Sequence, residues 1–61
     1  MKKLLTYKEC SEYLSITEGS LRNMVLKREI PFLKIGKRVR FDTEELSQWL
    51  SEKSVGPYQY N

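Results

Sequence analysis

At 61 residues, with no histidine and one cysteine, the chain is long enough for one small domain. It is too poor in ligands and nucleophiles for an enclosed active site, a Cys/His zinc cluster or an intramolecular disulfide, so neither an enzyme nor a cofactor is expected. Its net charge of +3 is unevenly spread: Arg22 to Arg40 holds seven of the eleven basic residues and one of the eight acids, residues 1–21 are neutral overall, and residues 41–61 sum to −3.

A clustered positive field on a small domain suits a polyanion, most often nucleic acid. No apolar run approaches the roughly 18 residues of a membrane span, and Met1-Lys2-Lys3 is not followed by the apolar core of a signal peptide. The chain therefore reads as cytoplasmic, a compartment in which a lone thiol such as Cys10 serves as a small buried hydrophobe.

The first helix-start signature lies at Thr6, a hydroxyl N-cap with Glu9 three residues on, which makes a capping box. Leu5 and Cys10 occupy the two positions of a hydrophobic staple. The spacing predicts a helix of about two turns from Tyr7, with Cys10, Tyr13 and Leu14 on one buried stripe. Thr17 repeats the arrangement, with Glu18 in the first turn, Ser20 at the third helical position and Ile16 stapled to Leu21. This second helix is expected from Glu18 to about Arg28. Only Ser15, Ile16 and Thr17 separate the two, the tight connection of a helix-turn-helix.

Between Pro31 and Phe41, Leu33, Ile35, Val39 and Phe41 alternate with Lys34 and Arg40, a hairpin pattern. A two-residue Gly36-Lys37 loop would mix the faces, setting Ile35 opposite Arg38 and Lys34 opposite Val39. Parity therefore favours a three-residue loop, Gly36-Lys37-Arg38, pairing Ile35 with Val39 and Leu33 with Phe41 inside and Lys34 with Arg40 outside. Asp42 begins a third helix, with Glu45 closing its capping box, Phe41 and Leu46 as staple, and Leu46, Trp49 and Leu50 facing inward. Ser-Val-Gly-Pro after Lys53 stops it. The expected architecture is α+β and mostly helical: a winged helix-turn-helix over residues 1–53, then a flexible tail, 54–61.

Opposite the stripe of Leu21, Met24, Val25 and, in part, Arg28, the second helix presents Gly19, Arg22, Asn23 and Leu26, flanked by Ser20 and Lys27. Arginine can grip guanine O6 and N7, and asparagine adenine N6 and N7, so Arg22 and Asn23 are the candidate base readers. Gly19 in the first turn is costly within a helix and would allow a phosphate close to the backbone. Leu26 has no assigned role. Lys34, Lys37, Arg38 and Arg40 crowd the hairpin tip and outer face, where they suit a phosphate backbone or a narrow minor groove.

The run from Leu4 to Leu50 resembles the excisionase-type helix-turn-helix domain, a small winged helix related to the DNA-binding domain of MerR regulators. The most specific landmarks are Glu29-Ile30-Pro31, Lys34-Ile35-Gly36-Lys37-Arg38, Phe41-Asp42 and the Glu45-Leu46-Trp49-Leu50 ending. The resemblance implies that the second helix enters the major groove through Gly19, Ser20, Arg22, Asn23 and Lys27, and that Lys34, Lys37, Arg38 and Arg40 form a DNA-contacting wing. It implies an architectural binder of double-stranded DNA that bends its sites and assists a recombinase (integrase), with neighbouring copies on DNA as further partners. A small MerR-like transcriptional regulator and a phage packaging or protein-interaction module are the alternatives, and a monomer in solution is expected. Two departures from the family pattern stand out: Glu18 and Gly19 where basic residues are frequent, and Arg28 where glycine often ends the second helix.

Overall fold

The computed structural model describes residues 3–56. In chain order the elements are β1 (Leu4–Leu5), α1 (Tyr7–Leu14), α2 (Glu18–Leu26), β2 (Leu33–Ile35), β3 (Arg38–Asp42) and α3 (Thr43–Glu52). The strands form one antiparallel sheet in the order β1-β3-β2, so the architecture is a winged helix-turn-helix whose hairpin carries an additional N-terminal strand. The expected tail falls largely, at residues 57–61, outside the described residues.

Each helix starts where its cap was expected. Thr6 Oγ1 accepts the Glu9 N–H at 3.2 Å while Glu9 Oε1 accepts the Thr6 N–H at 3.0 Å, a complete capping box. That second bond, chiefly, holds the Glu9 carboxyl below its ordinary pKa. At α3 the Asp42 carboxylate accepts the Glu44 N–H at 2.9 Å, the second helical position rather than the third that the Glu45 box would use.

The helix exits were less legible. Ser15 ends α1 in the left-handed region (φ 58°), with Ser15 N–H on Glu12 O at 3.2 Å and Ile16 N–H on Ser11 O at 3.0 Å. Arg28 does the same after α2 (φ 55°), with Arg28 N–H on Val25 O at 3.0 Å and Glu29 N–H on Met24 O at 2.8 Å. Both are Schellman closures made without glycine. Helix α2 is thus shorter than expected, ending at Leu26, and Arg28 itself supplies the left-handed turn.

Leu5, Cys10, Leu21, Ile30, Phe41 and Leu46 form the buried core, which takes one or more residues from every element except β2 and from the turn after α2. Trp49 is half-buried, and its indole N–H donates to Glu29 O at 3.1 Å, tying α3 to that turn. Two apolar helix residues expected inside are not: Tyr13 is 50% exposed and Leu50 38%.

The hairpin register is also corrected. Leu33 pairs with Arg40, Lys34 with Val39 and Ile35 with Arg38, which leaves a two-residue Gly36-Lys37 loop. Gly36 has φ +62° and Lys37 does not, the pattern of a type II′ turn with glycine first, whose twist matches that of the strands. The faces are mixed as parity warned, but the hairpin tip projects past the core, where parity costs little. Ile35 is 54% exposed there, and the inward position at the hairpin base goes to Phe32, which packs on the core with Val39.

Candidate nucleic-acid interface

Helix α2 is seated by Leu21, which is fully buried, and by half-buried Met24 and Val25. Its N-terminus is closed by Thr17, whose Oγ1 accepts the Ser20 N–H at 3.1 Å and donates to Ser20 Oγ at 3.0 Å. This orientation leaves Gly19, Ser20, Arg22, Asn23, Leu26 and Lys27 all exposed, Leu26 at 80%. A Cβ added to Gly19 would meet only Thr17 Oγ1, at 4.0 Å, so nothing in the protein's own packing demands glycine there.

Arg22 is not free in solvent. Its guanidinium carbon lies 4.1 Å from the Tyr7 ring centroid, and its Nη2 is 4.0 Å from Glu18 Oε1. Asn23 and Lys27 stand beside it on the same exposed surface.

The register divides the wing cations. Lys37 and Arg38 share the exposed tip. Lys34, opposite Val39, faces α2 across a cleft of about 400 Å³ floored by Val25, Phe32 and Val39, with Arg28 at its rim. Arg40 lies on the other face opposite Leu33, half-buried, with one guanidinium N–H donating to Val39 O at 2.8 Å. The expected Lys34–Arg40 pair is therefore absent, and with it the repulsion such a pair would carry.

Sequence reasoning missed Tyr7 and Arg28 at this surface. The contact of Tyr7 with Arg22 joins residues fifteen apart on different helices, and no local pattern encodes it. Arg28 was expected in part on the buried stripe of the second helix; it is exposed, because the helix ends at Leu26 and Arg28 takes the left-handed turn that follows. Its guanidinium lies 5.9 Å from the Phe32 centroid.

Among the described residues no group of His, Cys, Asp and Glu is placed to hold a metal ion, and no helix is long and apolar enough to cross a membrane. The exposed side of α2 is a cationic, hydrogen-bonding surface beside a basic hairpin, the chemistry that a duplex groove and its phosphates would meet.

A family model described as a helix-turn-helix domain matches residues 4–54. Neither the curated proteins nor the solved structures give a significant match. The match takes in all the helices and strands of the structure, and the chain belongs to the helix-turn-helix domain family, a family of DNA-binding folds.

Proposed function

We propose that this protein is a sequence-reading, architectural DNA binder, specifically an excisionase or recombination directionality factor of a phage or integrative element. In this reading α2 lies in the major groove with Arg22 and Asn23 on base edges and Gly19, Ser20 and Lys27 at the flanking backbone. Lys34, Lys37, Arg38 and Arg40 meet phosphates or the adjacent minor groove. The observation that supports the DNA reading is the exposed polar face of α2 on the same small domain as a cationic hairpin, whose Lys34 shares a cleft with Val25 and Leu26 of α2. The finer role rests on the ordered landmarks from Leu4 to Leu50. A recombinase and neighbouring copies on the same duplex are the partners this role requires; a small regulator would use the same surface at isolated operators.

A fluorescence-anisotropy titration against a randomised duplex pool at several salt concentrations, with bound molecules recovered and sequenced, tests the proposal. With about four to six phosphates neutralised, log affinity should fall against log salt with a slope of about −4 to −5. A flat dependence refutes DNA binding. An enriched motif repeated in tandem supports the architectural role, and a solitary motif favours the regulator.

A further inference from the structure

Tyr7 opens α1, and its ring meets the fully buried Phe41 edge-on, with centroids 5.4 Å apart and planes at 72°. The core thereby fixes the plane of an aromatic ring at the surface. Arg22 comes from the exposed side of α2 to lie over that ring at 4.1 Å. The charge of the guanidinium is attracted to the face of the ring, and the N–H donors not turned to the ring or to Glu18 are available for paired bonds to a guanine edge. The second contact, to Glu18 at 4.0 Å between side chains 58% and 49% exposed, is a loose ion pair of small worth.

We infer that Tyr7 is a positioning residue for Arg22: it holds the guanidinium pre-set for base reading, and Glu18 gives up its share of the donors when the base arrives. The inference rests on the proposed entry of α2 into the major groove. Arginine is rich in rotamers, and freezing such a side chain on binding costs roughly 0.5–1.5 kcal/mol, a factor of about two to ten in affinity. The contact with Tyr7 removes much of that cost in advance.

The base pair that Arg22 reads is identified as the one at which Arg22→Gln relaxes the selected motif. At that pair, the affinity ratio between the preferred and a substituted duplex should fall about two- to tenfold in Tyr7→Leu and hold in Tyr7→Phe, which keeps the ring without its hydroxyl. Tyr7→Leu added to Arg22→Gln should change the ratio no further, an outcome that a merely structural role for Tyr7 would not give. Independently of DNA, the Arg22 δ-protons should be shifted upfield by the ring current in the unmodified protein and in Tyr7→Phe. If the protein selects a motif but Tyr7→Leu keeps full discrimination, or if the Arg22 protons of the unmodified protein are unshifted, the inference falls alone. If the protein binds no duplex at any salt concentration, the functional reading falls and takes the inference with it.

Discussion

The hairpin register makes a sharp prediction about stability, because it exchanges the residues that the core depends on. Phe32 is half-buried and packed against the core, whereas Ile35 is 54% exposed. Removing a buried phenylalanine side chain to Cβ costs about 3–5 kcal/mol, so Phe32→Ala at partial burial should cost about 2–3 kcal/mol. Ile35→Ala deletes three carbons, worth about 0.8 kcal/mol each when fully buried; with about half of the side chain in solvent the cost should be about 1 kcal/mol. In a domain this small each kcal/mol moves Tm by roughly 4–8 °C, so the two variants should differ by about 4 °C at the least. Urea unfolding followed by the fluorescence of Trp49, the sole tryptophan, reads the difference, since its half-buried indole is bonded to Glu29 O and unfolding releases it. Ile35→Lys adds a control: at the exposed tip it should cost no more than Ile35→Ala, while an inward lysine would unfold the protein. An Ile35→Ala cost equal to or above that of Phe32→Ala would refute the two-residue loop and restore the inward face of Leu33 and Ile35.

Cys10 is fully buried, and burial pushes its thiol up to about 11 from an ordinary value of 9.0. The folded state thus favours the neutral thiol, and the stability this confers is full below pH about 9 and declines as pH rises toward about 11. Native protein at pH 8 should therefore react with a thiol reagent only as fast as it opens, and immediate stoichiometric labelling would contradict the burial. On DNA, Arg38→Ala should weaken all duplexes alike with little change in Tm, and Asn23→Ala should relax preference at one base pair. Arg40→Ala should lower Tm as well, because Arg40 is half-buried opposite Leu33 and its guanidinium is bonded to Val39 O. Identical profiles for Arg38→Ala and Asn23→Ala would overturn the division between wing and reader.

Short-range rules settled much of this molecule from sequence alone. Thr6, Thr17 and Asp42 are caps because a side-chain oxygen within three residues of unpaired helix N–H groups satisfies them whatever lies elsewhere in the chain. The three-residue gap between α1 and α2, the staples Leu5–Cys10 and Phe41–Leu46, and the exposure of Gly19, Ser20, Arg22, Asn23 and Lys27 follow from such local periodicity. The left-handed turn at Arg28 was not among them: without glycine the exit from α2 was expected to lack a ready left-handed residue, and Arg28 adopts that conformation itself.

Tertiary packing decided the rest, for reasons that local pattern does not contain. Leu4 and Leu5 become a strand only because the edge of β3 is open to pair with Asp42 and Phe41, a bond pattern across some forty residues. The hairpin chose its register by a balance between turn geometry at Gly36 and burial at Phe32, and the burial term depends on how far the sheet extends past the core. That choice sends Lys34 toward α2 and Arg40 away from it, so the layout of the wing charges is a consequence of register. The Tyr7–Arg22 contact depends on Phe41, on a third element, which meets the ring edge-on. Sequence specified which groups could meet DNA; the sheet and the core determined which of them stand together.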